Sequence, residues 1–179
     1  MKSQLKFVFI PSLPFDFKLS LHKRAGWYWL TPFEIFQDNT LWSGVRINHQ
    51  SIGLKIRSFG TISKPKIEVE LFANDKLTKE EGKQLNDFLF QALKIDQNLL
   101  EFYKFSQKFP VLKECTKSLY GMHTASDPDL LHSAIRTVSS HMCRTKRAIA
   151  ILDAIFKNYG EKINFDSKEI LLWPTKERL

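Results

Sequence analysis

Residues 139 to 147, SSHMCRTKR, hold the densest set of reactive and charged side chains in this 179-residue chain. Two serine hydroxyls, an imidazole, a thioether and three cations lie within them. Arg144, Lys146 and Arg147 fall in the expected first turn of a helix, where cations oppose the positive end of the helix dipole. A phosphate would satisfy both the free N–H groups of that turn and the cations; a solvated polar end would need no ligand. Ser139 and Ser140 beside His141 suggest nucleophilic catalysis, but sequence neighbours on a helix do not face each other, and no G-x-S-x-G elbow is present. His22, His49, His123, His132 and His141 show no H-x-x-x-H or H-E-x-x-H spacing, so no metal site is expected. None of the seven glycines forms a G-x-G, which excludes the Gly-rich phosphate cradles, and no cofactor is expected.

Two amphipathic helices are expected to carry this junction, within residues 127 to 160. Asp127 reads as an N-cap, Pro128 suits the first helical position, and Leu131, Ala134, Ile135 and Val138 recur at helical spacing. The second helix places Ala148, Leu152, Ile155, Phe156 and Tyr159 on one stripe, and Gly160 stands where a left-handed cap is wanted.

Before these, strands are expected through residue 72. FDFKLSL (15–21), IGLKIRS (52–58) and KIEVELF (66–72) alternate apolar and polar residues. FEIF and TLWSGVRI flank QDN, and NHQS precedes the strand at 52–58; both connectors are rich in turn formers. An antiparallel meander with one apolar face results, and helices must cover that face. The first begins at Thr78, with Glu80 and Glu81 favourable in its first turn and Leu85, Phe88, Leu89 and Ala92 on its apolar stripe. Asp96 opens another, with Leu99, Phe102 and Tyr103 inside. Pro110 opens a third, with Leu112, Cys115 and Leu119 inside and Gly121 at its end. A loop is expected around Trp173 and Pro174. The fold class is thus α+β: an antiparallel β-meander lobe at 1–75, then an all-helical lobe at 76–179. Pro174 and Thr175 resemble the start of a further helix that the five last residues cannot complete. The aromatic run Trp27 to Leu30, with Trp42, is either a stacking platform for bases or strand core, and strand aromatics usually pack inward.

Hydrophobic residues make up 43% and aromatic residues 13% of the chain, which excludes a disordered tail. The formal charge of +8 and pI near 9.5 favour anionic partners. Cys115 and Cys143 form no C-x-x-C pair, which argues against a disulfide scaffold and suits a reducing cytoplasm. FVFI, cut short by Pro11, is too short for a signal-peptide core, so a cytoplasmic protein without membrane spans is expected.

LHSAIRTVSSHM, KRAIAILDAIFKNYG and WPTKERL together resemble the helix–hairpin–helix DNA glycosylases of the alkyl-base and 8-oxoguanine type. In that family a helix, a polar junction and a helix ending in an aromatic–Gly pair precede an F-P-T-x-E-x-L segment. DQNLLEFYKFSQKFPVLKECTKSLYGMH is similar to the family's linker, and the meander to its N-terminal β domain. The resemblance implies double-stranded DNA as partner, with Ser140, His141, Met142, Arg144, Lys146 and Arg147 as binding residues. His141 would probe the hole left by a flipped nucleotide and Met142 would be the wedge, offsetting a few kcal/mol of unstacking. His141 departs from the Gln or Asn usual there. The Gly-rich hairpin and the catalytic Asp of the family lie beyond the segment matched by WPTKERL, so no catalytic residue is carried over. The expected function is therefore the N-terminal portion of a glycosylase that, when complete, excises an alkylated or 8-oxoguanine base. The alternatives are a non-enzymatic nucleic-acid-binding module and a protein-interaction domain. The last would use the stripe Ile149, Leu152 and Phe156 to meet a second copy or a missing half.

Overall fold

The computed structural model describes residues 1–21, 29–31 and 33–179. Alternation in IGLKIRS and KIEVELF produces two long strands, β4 (Gln50–Thr61) and β5 (Lys64–Ala73), after β1 (Lys2–Phe9), β2 (Ile35–Gln37) and β3 (Thr40–Ile47). All pair antiparallel in the order β1-β5-β4-β3-β2, so β2 to β5 are the expected meander. Asp38 and Asn39 turn β2 into β3 with φ of 48° and 57°, within the QDN connector. β1, in the expected strand region but ahead of its first delimited strand, pairs with β5 at the sheet edge.

One face carries Ile52, Leu54, Ile56, Ile67, Val69 and Leu71, all fully buried. Burying each contributes about 1.5–3 kcal/mol. The cover is helix α2 (Lys79–Leu93), through Leu85, Leu89 and Ala92. Its start is a capping box: Thr78 Oγ1 accepts from Glu81 N–H, and Glu81 Oε2 accepts from Thr78 N–H.

FDFKLSL departs from the expected strand. Residues 17–21 form a short helix, α1 (Phe17–Leu21). Asp16 Oδ1 accepts from Leu19 N–H at 2.8 Å, and Ser20 Oγ donates to Asp16 O at 2.6 Å. These local bonds outcompete a ladder, and Phe17 and Leu21 reach the core from a helix, with Phe15 just before it. Trp27, Tyr28 and His22 lie outside the described residues. Trp29, Leu30 and Trp42 are buried, as the core reading of that aromatic run requires.

The second face of the sheet is covered as well. After α6 (Thr145–Tyr159) the chain forms β6 (Glu161–Phe165) and β7 (Lys168–Leu172), where sequence reading placed a loop. This hairpin packs Ile163, Phe165, Ile170 and Leu172 on Trp42 and Phe72. Gly44 and Gly53 make room: a Cβ on Gly44 would stand 2.3 Å from Leu172, and one on Gly53 2.5 Å from Phe165. Asp166 at the hairpin turn accepts from Trp42 Nε1 at 2.8 Å and pairs with Lys55. Burial opposes its ionisation, but the bonds from Lys55 and Trp42 and the Lys55 and Arg57 charges prevail, holding its carboxyl below the usual range.

Three further helices precede α6. They are α3 (Leu100–Ser106), α4 (Pro110–Ser118) and α5 (Leu130–Ser140). α3 starts four residues after Asp96, with Asn98 Oδ1 accepting from Leu100 N–H. Phe102 and Leu119, expected inside, are exposed, and so is Cys115. Gly121, expected at the end of α4, lies two residues beyond the C-cap Leu119 with φ of 84°. Together the elements make an α+β fold, as expected. No helix among the described residues is long and apolar enough to cross a membrane.

Candidate nucleic-acid interface

Helices α5 and α6 meet at residues 141–144, so the SSHMCRTKR stretch spans the end of one helix and the start of the next. Ser140 Oγ donates to Arg136 O at 2.8 Å, and Cys143 Sγ lies 3.2 Å from Ser139 O. These bonds fold the junction back onto α5. His141 leaves helical geometry and is exposed. Met142 takes φ of 51° and is 92% exposed. A non-glycine residue in that region costs of order 1 kcal/mol, so the backbone here is held by its surroundings and turns an apolar side chain into water.

The next turn is electropositive. Arg144 is the N-cap of α6, and no side chain caps this end. Its carbonyl accepts from Arg147 and Ala148 N–H, leaving the earlier N–H groups of the turn outward. Arg144, Lys146 and Arg147 are all exposed, and none takes part in an ion pair recorded among the described residues. Of the residues expected to bind DNA, His141, Met142, Arg144, Lys146 and Arg147 are exposed in this stretch, while Ser140 is half-buried with its hydroxyl turned back onto α5. Concavities of about 570 and 490 Å³ elsewhere on the molecule share no residue with it.

Beneath α5 lies a cluster that sequence reasoning missed. Asp127 does not cap α5; Asp129 does, accepting from His132 N–H at 3.1 Å. The Asp127 side chain is instead 1% exposed, and its Oδ2 accepts from His132 Nδ1 at 2.8 Å. Arg136 Nη2, buried and without a hydrogen bond, stands 3.9 Å from the same oxygen. Trp173 is the floor: His132 stacks on it at 4.8 Å and 13°, and the Arg136 guanidinium lies 5.5 Å from its ring. Phe156 of α6 meets Trp173 edge-on at 4.5 Å, and Trp173 Nε1 donates to Leu30 O. One indole thus joins α5, α6 and the loop before β2. His132 and Arg136, four residues apart on α5, were the available signal.

The packing also reassigns α5. Ile135 reaches the Leu152–Phe156–Leu171–Trp173 cluster, but Leu131 is partly exposed and Val138 points to solvent. On α6, Ala148, Leu152 and Phe156 are buried as expected, while Tyr159 is exposed. Leu152 and Phe156 are therefore covered by this chain itself and offer no face to a second copy. Gly160 is extended, with φ of −67°, rather than left-handed. A Cβ there would stand 2.4 Å from Phe156 O and 2.9 Å from Leu172 O, so close approach is what requires glycine. Next to it, Glu161 accepts from Arg46 and Ser51. Burial opposes its charge, but those bonds and the Arg46 and Arg178 charges lower its pKa.

Glu34 is half-buried and holds the loop before β2. Its carboxylate accepts from Trp29, Leu30 and Thr31 N–H and from Ser43 Oγ. Burial outweighs those bonds and raises its pKa.

No family model matches the chain. A DNA-3-methyladenine glycosylase of Bacillus subtilis is 23% identical over 110 residues, which cover 60% of this chain and 36% of the relative. Among solved structures, the 3-methyladenine DNA glycosylase of Archaeoglobus fulgidus superposes with a TM-score of 0.75 at 11% identity, over 96% of this chain and 57% of its own. The 8-oxoguanine glycosylase/lyase of Clostridium acetobutylicum in its apo form gives a TM-score of 0.65 at 13% identity, over 99% of this chain and 55% of its own. The same enzyme bound to double-stranded DNA gives 0.62 at 15% identity, over 100% and 57%. The chain has the fold of these DNA glycosylases, and it spans little more than half the length of the solved ones.

Proposed function

We propose that this chain, built on the fold of DNA glycosylases, grips duplex DNA at the α5–α6 junction and holds it open for base excision. Met142 enters the base stack as a wedge and His141 follows as a polar probe of the vacated position. Arg144, Lys146 and Arg147, with the outward N–H groups of α6, hold neighbouring backbone phosphates. The observation that carries this reading is the exposed apolar Met142, held at positive φ beside an uncapped, triply cationic helix start.

The complete activity in which this surface takes part is excision of a damaged purine, alkylated or 8-oxoguanine. The Asp that assists cleavage of the glycosidic bond, and the Gly-rich hairpin that precedes it, find no counterpart in this sequence, which has no glycine after Gly160. The described residues hold DNA and leave the chemistry to groups outside them. Incubating the 179-residue protein with alkylated and 8-oxoguanine duplexes should give salt-sensitive binding and no base release. Robust release would overturn this division of labour, and absence of binding at low salt would remove the DNA reading altogether.

A further inference from the structure

Little apolar packing holds α5. Ser139 is the one buried residue of its eleven, Ile135 is partly buried against Trp173 and its neighbours, and Leu130 and Val138 stand largely exposed. Helix α6, by contrast, buries Ala148, Leu152 and Phe156. What fixes α5 is a polar clamp at its start. His132, Arg136 and Ser140 recur every four residues and so lie one above the other along the helix. His132 Nδ1 donates to Asp127 Oδ2 at 2.8 Å while its ring stacks on Trp173. Arg136 lies over the same indole, but its Nη2 makes no hydrogen bond, so the directional contact is that of His132. Ser140 Oγ then donates to Arg136 O, which carries the stripe to the junction.

Both partners of His132 are tied to the body of the fold. Asp127 follows Ala125, buried in the main core, and Ser126, whose N–H donates to Ala92 O of α2 at 2.9 Å. The other carboxylate oxygen of Asp127 accepts from Asp129 N–H at 3.0 Å. Trp173 is held at two points: Nε1 donates to Leu30 O, and its carbonyl accepts from Arg46 Nη1 at 3.2 Å. The helix is therefore a lever pivoting on His132. Ser140, eight residues on, stands about 12 Å away at about 1.5 Å per residue. A tilt of about 10° at the clamp moves that end by about 2 Å, over half of the roughly 3.4 Å between stacked bases. We propose that His132, through its bond to Asp127, is a positioning residue: it sets the angle of α5 on Trp173 and so aims His141 and Met142. Arg144, Lys146 and Arg147 keep their places through the separate core contacts of α6. This inference rests on the proposed DNA reading and adds to it the residue that aims the wedge.

The test separates grip from wedge. The 179-residue protein is titrated onto a duplex with 2-aminopurine in the stack; anisotropy reads binding and its salt slope, and probe emission reads unstacking. His132→Phe keeps a ring on Trp173 but has no N–H for Asp127. His132→Asn lacks the ring but keeps an N–H near the place of Nδ1. At saturation, His132→Phe should retain the parent salt slope and cut the emission rise at least about threefold. His132→Leu, a second variant without the bond, should do the same, and His132→Asn should restore most of the rise. Thermal melting establishes that each is folded at the assay temperature. Lost stability alone would lower the melting temperature and leave the rise of the folded, saturated complex unchanged. A parent-sized rise in His132→Phe or His132→Leu, or a rise in His132→Asn as low as theirs, would overturn the inference and leave the DNA reading standing. A parent protein that binds no duplex, or binds and leaves the probe flat, would remove that reading and this inference with it.

Discussion

Replacing Arg144 and Arg147 together by alanine should change how DNA binding responds to salt more than it changes the protein. Both side chains are exposed and unpaired, and the Arg144 carbonyl keeps its bonds to Arg147 and Ala148 N–H whatever the side chain. Each cation that neutralises a phosphate contributes about −0.9 to the slope of log K against log salt. Three such contacts from Arg144, Lys146 and Arg147 predict a loss of roughly 40-fold between about 50 and 200 mM salt. With Lys146 alone the loss falls to about 3.5-fold, a slope shallower by about 1.8. Fluorescence anisotropy of a labelled duplex across that range measures both slopes, and thermal melting checks that α6 survives. A double variant with the parent slope would refute the reasoning, because the cations would then be solvated and the phosphate held elsewhere.

Other expectations concern the scaffold. Trp173→Ala removes the floor shared by His132, Arg136 and Phe156 and should cost about 3–5 kcal/mol in urea unfolding. Gly53→Ala drives a methyl into Phe165 and should cost about 1–3 kcal/mol by the same measurement. Glu161 and Asp166 have lowered pKa values, so the stability they contribute is full above the ordinary carboxylate value near 4 and lost as pH falls through their folded values. Glu34, with a raised pKa, contributes the opposite sign: it costs stability above its folded value and that cost disappears at lower pH. Unfolding free energies from pH 7 downward should therefore fall less steeply in Arg46→Ala, which releases Glu161, and more steeply in Glu34→Gln.

The sheet was legible where burial and period agree. Ile52, Leu54 and Ile56, and then Ile67, Val69 and Leu71, alternate without a break, and all six are fully buried. FDFKLSL alternates equally well, but Asp16 supplies a local acceptor that closes a helical turn, an option that period alone does not weigh. The β6–β7 hairpin was missed because Asp166 and Ser167 turn it with positive φ and no glycine marks the place. Ile163 and Phe165 against Ile170 and Leu172 were its visible half. Both helices of the junction could be placed from sequence, since apolar spacing is a local signal, but neither expected cap held: Asp129 caps α5, and Gly160 is extended. The cluster beneath could not, because Trp173 reaches His132 only through the tertiary fold. A buried Asp127 also reads in sequence as a cap. The exposed aromatics of α3–α4 show the same limit from the other side: helical spacing puts Phe102 on an apolar stripe, and nothing local says whether this chain covers it.

On the proposed reading, Met142 opens the base stack. A duplex carrying 2-aminopurine, whose emission rises when it leaves the stack, reports this directly. Saturating it with the protein should raise the fluorescence, and Met142→Ala should abolish the rise while keeping the salt slope set by Arg144, Lys146 and Arg147. Bound protein that leaves the fluorescence flat, or a rise that survives Met142→Ala, would contradict the account.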